Sequence, residues 1–433
     1  MSMTTLAAPA PRLFTRPFAL ACGAALANLT AFYLPLSVVP ARAVTAGAPD
    51  GAAGLVTAAL MLGGVLAECV APRLMARFGD RAVLAAGLLL LGGAALLLVP
   101  AVDVVSAVLV CGLRGVGFGF AVVVTGALVA RHVPAARRGE GLAAAGVVAC
   151  VPAVAALPAG VWLAAACGAD VVFVVAAVVA LAGALAPLAL VARPGDSATA
   201  VGSAESEAAS TTARAAEPYA ATTAGARESA AAAAVTAPES AAATAESEAA
   251  AAGSGLVALA RIPVQWRTAV LFAATTVAAG IVVAYLPLAA TGPAVAVGLF
   301  VQALAATAGR YGAGRWGDRY GHARLVAPGL VACGLGMLLL LGVGQPALLL
   351  AAMAVFGTGF GVAQSATYAV MVERSPVDGH GAVSALWNLA YDLGYGVGPL
   401  AFAALVGASG YPAAFALTGL VVLAGLRAAR RIG

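Results

Sequence analysis

Hydrophobic and polar positions in this 433-residue chain come in blocks. Apolar runs of roughly 18–25 residues, the length a helix needs to cross a bilayer, alternate with short clusters of charge. Twelve such runs lie near 18–40, 52–72, 82–101, 104–130, 141–165, 171–191, 268–290, 295–313, 325–343, 347–371, 382–406 and 411–426. A transmembrane β-barrel would need apolar and polar residues to alternate along each strand, and no such alternation is visible. The pattern predicts an all-α membrane protein with twelve transmembrane helices.

One stretch breaks the pattern. Residues 194–260 are Ala, Ser, Thr, Glu and Gly with almost no large apolar side chain. Such a segment cannot bury enough surface to offset the entropy of ordering it. It is expected to be a disordered linker between two bundles of six helices. The expected division is a tail at 1–17, a first bundle at 18–193, the linker at 194–260, a second bundle at 261–427 and a tail at 428–433.

Composition agrees with this reading: 63% of residues are hydrophobic and 9% charged, with a mean hydropathy of +1.01. All 23 basic residues are Arg. Eighteen of them fall on one side of the twelve runs: Arg12, Arg16, Arg73, Arg77, Arg81, Arg131, Arg137, Arg138, Arg193, Arg261, Arg267, Arg315, Arg319, Arg324, Arg374, Arg427, Arg430 and Arg431. The other side holds Arg42, Asp50, Asp103 and Asp170. Short Arg-rich loops stay in the cytosol, which places both termini there and the protein in the cytoplasmic membrane. The apolar run after Arg16 continues to Pro40, so it is expected to be a retained first span rather than a cleaved signal. The six Cys lie in apolar surroundings without a CxxC pair, and no metal or cofactor site is expected.

The chain also repeats itself. Residues 315–324 read RWGDRYGHAR, within Gly314-x-x-x-Asp318-Arg319-Tyr320-Gly321 and followed by Arg324. An eroded copy, Pro72-x-x-x-Ala76-Arg77-Phe78-Gly79, stands 242 positions earlier. The same offset maps Gly115, Gly117 and Gly119 onto Gly357, Gly359 and Gly361, Pro134 onto Pro376, and Gly139 onto Gly381. YLPL occurs at 33–36 and again at 285–288. The two six-helix bundles are therefore expected to be pseudo-symmetric parallel repeats that rock around a central site.

The doubled GxxxDRxG loop resembles the loop motif of the major facilitator superfamily. The glycine-rich fourth span, the Pro-containing fifth and WNLAYDLGYGVGP in the eleventh are similar to that superfamily's drug- and metabolite-efflux branch. The resemblance covers the chain apart from the linker and the extreme N-terminus. It implies the major facilitator fold and a loop that latches one conformation, here through Gly314, Asp318, Arg319, Gly321 and Arg324 with Arg77 and Gly79 in the eroded copy. It also implies a cavity lined by spans 1, 4, 7 and 10. The cavity candidates are Asn28, Tyr33, Tyr285, Gln364 and Tyr368, with Trp387 and Asn388 from span 11. Neutral donors in an apolar wall suit a small, moderately hydrophobic organic solute.

Ionisable groups inside spans are costly and are functional candidates by default. Four qualify: Glu68, Arg114, Arg310 and Asp392. Asp392 is the carboxylate nearest the middle of a span and the first candidate for proton coupling, with Arg114 and Glu68 behind it. Two registers are open for Arg114, because aligning Gly115 with the family glycine puts the family's Arg position on Cys111. Glu68 and Arg310 are related by the 242-residue offset and lie toward span ends, where snorkelling or a structural ion pair would also account for them.

These features exclude several classes. His132, His322 and His380 all fall in loops, and no GxSxG, HExxH or P-loop occurs, which argues against an intramembrane enzyme or direct use of ATP. The expectation is a monomeric secondary transporter, exporting its solute against protons, with the lipid bilayer as surroundings and no nucleic-acid partner. The alternatives are an importer or uniporter of the same fold, or a transport-inactive sensor or scaffold.

Overall fold

The computed structural model describes residues 15–101, 103–133, 138–189, 262–375 and 380–430. The expected linker at 194–260 and the repeat positions Pro134 and Pro376 lie outside them. The described chain is helical throughout, and its helices fall into twelve spans.

Span 1 is Arg16–Tyr33 continued by Val38–Thr45 after a turn. Spans 2 to 6 are Gly51–Phe78, Asp80–Leu97, Val104–His132, Arg138–Cys167 and Ala169–Gly183. Spans 7 to 10 are Pro263–Ala289, Pro293–Tyr320, Ala323–Leu339 and Pro346–Glu373. The last helical stretch, His380–Ala424, folds back at Gly410 (φ 75°) and supplies spans 11 and 12.

Local chemistry explains where the spans begin and end. Asp103 caps span 4, accepting from the Ser106 amide at 2.9 Å, and its exposed carboxyl is held below the usual range by that hydrogen bond. Proline opens spans 7, 8 and 10, where its missing N–H has no helical partner to lose. The turns Gly79 and Gly321 have φ of 79° and 91°, and Gly168 and Gly410 have φ of 92° and 75°. Each pair is separated by 242 positions, and only glycine adopts such angles without strain.

Packing repeats as closely as the turns do. A Cβ on Gly115 would stand 2.0 Å from the Leu60 carbonyl oxygen, and one on Gly357 would stand 2.3 Å from that of Gln302. Gly117 faces the Leu91 amide at 2.5 Å, and Gly359 faces the Cys333 amide at 2.5 Å. All four partners obey the same 242-residue offset. Span 4 therefore beds against spans 2 and 3, and span 10 against spans 8 and 9, at backbone contact, as small-residue helix interfaces in lipid do. Outside, Leu62, Leu109, Trp162, Val178, Leu304 and Val421 stand exposed, which suits a bilayer and not water.

The largest contacts between the halves are pseudo-equivalent, span 2 with span 11 and span 5 with span 8, and span 7 also touches spans 1 and 2. One face of the bundle carries Arg77, Arg81, Arg319 and Arg324, and the other carries Asp50, Asp103 and Asp170. The arginine on the aspartate face is engaged. Arg42 pairs with Asp170 at 2.7 Å, donates to the Leu98 and Val99 carbonyls at 3.0 Å each, and lies over the Phe173 ring.

Candidate functional site

The aspartate face is where the two halves close. Gly54 of span 2 packs onto Pro399 and Leu400 of span 11 so tightly that a Cβ would meet the Pro399 carbonyl oxygen at 2.7 Å. The fully buried Tyr285 donates from its hydroxyl toward the Asp50 carbonyl at 3.0 Å and the Pro399 carbonyl at 3.1 Å. The Tyr411 hydroxyl donates to the Asp50 carboxylate at 3.1 Å. Met61 against Gly396 is the next rung of this seam.

Past that rung spans 2 and 11 part, and a cavity of about 660 Å³ opens between spans 1, 2, 4 and 11. Its walls run from Leu36, Met61 and Tyr395 beside the closed seam to Ala127 and Ser384 toward the arginine face. Aromatic rings form much of the lining. Phe32 stacks on Phe118 at 4.0 Å and meets Tyr33 edge-on at 5.3 Å, and Tyr391 stacks on Tyr395 at 5.5 Å.

The charged residues lining the cavity are Glu68, from the first half, and Asp392, from the second. Both line the one cavity, from the two spans that make the span 2–span 11 contact. The 242-residue offset sends Glu68 to Arg310 and Asp392 to Cys150. Those two meet across the other inter-half contact, with the Arg310 guanidinium 3.9 Å from the Cys150 sulfur. One interface carries two carboxylates and its pseudo-equivalent carries a guanidinium and a thiol.

The remaining sequence candidates are distributed as follows. Tyr33 and Asn388 line the cavity with Glu68 and Asp392. Trp387 stacks on Phe272 at 4.4 Å and donates to the Thr367 hydroxyl at 3.3 Å, one layer behind. Tyr368 shares a hydrogen bond with Ser384, a lining residue, at 2.9 Å. Asn28 is fully buried in span 1 with neither amide atom partnered, and the Gln364 side-chain oxygen is also unpartnered. Arg114 is fully buried and reaches the Ala31 carbonyl at 3.4 Å, so its guanidinium lies in the span 1–span 4 packing and not on the cavity wall. Spans 7 and 10, which the family resemblance put among the cavity walls, contribute none of the residues that line this cavity. Four lining residues that sequence reasoning passed over, Phe32, Met61, Phe118 and Ser384, come from spans 1, 2, 4 and 11. The first and third carry a signal of their own, since aromatic residues flank YLPL and the glycine ladder.

At the arginine face the loop motif forms two joints. In the second half, His322 Nδ1 lies 2.6 Å from the Glu373 carboxylate and Nε2 lies 3.7 Å from Asp318. In the first half, Asp80 pairs with Arg131. The positions correspond across the repeat, with the carboxylate on the other member of the pair. Asp318 is largely exposed, and its polar neighbour is His322. The guanidiniums of Arg77 and Arg319 each lie over the ring of the following residue, Phe78 and Tyr320.

A sequence model of the Major Facilitator Superfamily matches residues 20–292 and again 288–430. No functionally curated protein matches the chain in sequence. Among solved structures, a mutant form of the nucleoside transporter NupG is similar over 96% of this chain and 99% of its own, with a TM-score of 0.71 and 10% identity. The xylose transporter XylE from E. coli, in a partially occluded inward open conformation, is similar over 95% of this chain and 96% of its own, with a TM-score of 0.66 and 14% identity. At such identities the likeness to solved structures carries the fold alone.

Proposed function

The chain belongs to the major facilitator superfamily, and we propose that it is a proton-coupled secondary transporter that moves a small organic solute through the cavity between spans 1, 2, 4 and 11. Members of that family are multi-pass membrane transporters and not enzymes. One observation carries the coupling: two carboxylates, Glu68 and Asp392, come from opposite halves and face one cavity. Alternating access separates and rejoins the halves, so it changes the surroundings of both carboxylates at each turn of the cycle. A carboxylate that is hydrated in one state and enclosed in the other takes up a proton on one side and releases it on the other.

Export is the direction that the efflux-branch resemblance of spans 4, 5 and 11 supports. The arginine face is cytosolic in this reading, which follows the charge bias of short loops. The cavity then faces the cytosol, closed toward the outside by Tyr285, Tyr411 and Asp50. Import by the same machinery is the second reading, and it draws on the nucleoside and xylose transporters among the similar structures.

The test is flux in proteoliposomes. Metabolites whose levels change in cells lacking or overexpressing the protein are loaded inside, and a pH gradient of either sign is imposed. Solute movement that reverses with the gradient supports proton coupling. Movement that ignores the gradient would leave a uniporter.

A further inference from the structure

We propose that His322 is a pH sensor on the arginine face. With its proton on, it joins the ends of spans 8, 9 and 10 and favours the conformation described here, closed at the aspartate face. With its proton off, that preference weakens. The sensor lies outside the cavity and does not depend on which solute the cavity carries.

The starting point is a comparison of the two loop joints. In the first half Asp80 pairs with Arg131. A guanidinium stays protonated in any protein environment, so that joint keeps its cation at every physiological pH. In the second half several positions change together. His322 stands where the first half has Asp80, Asp318 where it has Ala76, and Gly317 where it has Met75. All three changes serve the imidazole. A Cβ on Gly317 would run into the ring, so only glycine leaves room for it. Glu373 lies 2.6 Å from Nδ1 and Asp318 lies 3.7 Å from Nε2, with the His322 side chain only 12% exposed.

That placement calls for a proton. A neutral imidazole has one N–H, and its other nitrogen is an acceptor. Between two carboxylates a neutral ring turns a lone pair toward one of them. An imidazolium donates to Glu373 and sets its charge beside Asp318 as well. Histidine is the side chain whose charge changes between about pH 5 and 8. The surrounding charges leave this pairing intact. Span 8 presents Asp318, while its Arg315 and Arg319 lie over the rings of Tyr311 and Tyr320. Span 10 presents Glu373, with Arg374 next in the chain, and span 9 itself carries Arg324. Among the described residues, the charged groups in contact with the imidazole are the two carboxylates. The joint is therefore complete on the acid side of the histidine titration and loses its ionic part as pH rises through it.

The end of span 10 links this joint to the rest of the bundle. Gln265 of span 7 fixes that end, donating to the Met371 carbonyl at 2.9 Å and to the Ser375 hydroxyl at 2.8 Å. Earlier in span 10, Tyr368 shares a hydrogen bond with Ser384 of span 11, on the cavity wall. Span 11 runs on to Pro399, which packs on Gly54 in the closed seam. A joint formed in this conformation favours it by the difference in its strength between the two access states. With the arginine face in the cytosol, an acidified cytosol holds the protein in its inward-facing state.

The experiment uses the purified full-length protein in nanodiscs, without solute, in a Cys-free background. The labelling rate of Ala403→Cys, in the closed seam, is divided by that of Ala48→Cys at the same pH, which removes the pH dependence of the reagent. Between about pH 5.5 and about pH 8 this ratio should rise about two- to fivefold more with His322 present than in His322→Gln, the scale of a partly exposed ion pair. Titration of Asp50, Glu68 and Asp392 is common to both proteins and drops out of the comparison. Asp318→Asn combined with Glu373→Gln keeps the imidazole, removes its partners and should behave like His322→Gln. Monodisperse gel filtration checks folding, and this second variant decides the matter alone if glutamine disturbs the fold beside Gly317. An equal rise in all three proteins overturns the inference. So does a steep rise that survives the loss of both carboxylates, or a ratio that falls with pH because of His322. Failure of proton coupling through the cavity would leave this result untouched.

Discussion

The Tyr285 hydroxyl of span 7 lies 3.0 Å from the backbone carbonyl of Asp50, so a side chain of the second half closes onto the first residue before span 2. The same hydroxyl is 3.1 Å from the Pro399 carbonyl, and the Tyr285 ring packs on Phe402 at 4.8 Å. Phenylalanine would keep the packing and lose the hydroxyl. A buried hydrogen bond of this kind contributes about 1 kcal/mol. Tyr285→Phe should therefore shift the access equilibrium roughly fivefold toward opening at the aspartate face. The readout is the labelling rate of a single cysteine at Ala403, which packs on Gly51 in this seam, in an otherwise Cys-free protein. An unchanged rate would mean that the hydroxyl does not latch the closed face.

Glu68 and Asp392 should act as a unit. Asp392→Asn keeps shape and most hydrogen bonding but cannot titrate. It should abolish accumulation driven by a pH gradient and leave solute exchange close to normal. Glu68→Gln should weaken the same step, and the double variant should fall well short of the sum of the two, because groups facing one cavity are not independent. Normal gradient-driven accumulation in Asp392→Asn would remove the residue from the proton path.

The glycine ladder gives a sharper test of packing. Gly115 and Gly357 leave no space for a methyl group, with backbone oxygens at 2.0 Å and 2.3 Å from the missing Cβ, whereas Gly93 on span 3 has nothing within 4 Å. Gly115→Ala and Gly357→Ala should each destabilise by about 1–3 kcal/mol through overpacking. Gly93→Ala should be neutral or stabilising by a few tenths of a kcal/mol to about 1 kcal/mol, from helix propensity alone. Melting temperatures of the three variants in one detergent decide the matter.

Much of this architecture was legible before any coordinates. The twelve apolar blocks and the 242-residue offset reappear as spans and as matched glycine contacts, because both depend on local composition and on backbone approach. The walls of the cavity were less legible. Which face of a helix looks inward depends on its rotation against its neighbours, which spacing alone does not set. Glu68, a proton-coupling candidate that also lies toward a span end, is on the cavity wall. Tyr285 was read as a cavity residue and lies in the closed seam, while its repeat partner Tyr33 does line the cavity. The relation of Cys150 to Asp392 needed only the offset applied once more, but its meaning needed the observation that Arg310 sits beside Cys150.

Orientation can be tested directly. In a Cys-free background, single cysteines replacing Ala48 and Asp103 should react with an impermeant thiol reagent from outside intact cells, because both flank the aspartate face. A cysteine replacing Ser206 should stay unlabelled until the cells are opened. Labelling of Ser206 from outside would reverse the orientation and move the cavity mouth to the exterior.

The two loop joints make the last prediction. Asp80 pairs with Arg131, and 242 positions later His322 meets Glu373 at 2.6 Å, with the acidic partner now on the other strand of the joint. Both pairs tie the start of one span to the end of another: span 3 to span 4 in the first half, span 9 to span 10 in the second. If the repeat fixes the geometry and only the side chains differ, the first joint can be transplanted into the second. His322→Asp alone places a third carboxylate beside Glu373 and Asp318 and should loosen the joint through like-charge repulsion. Adding Glu373→Arg recreates the Asp–Arg pair and should restore it. Each change is worth about 0.5–1 kcal/mol, since Glu373 is half exposed and solvent screens the pair. A double-mutant cycle on thermal stability, with flux measured alongside, reads the coupling. A double variant no more stable than His322→Asp alone would mean that the two joints differ in geometry as well as in charge, and that the repeat ends before this loop.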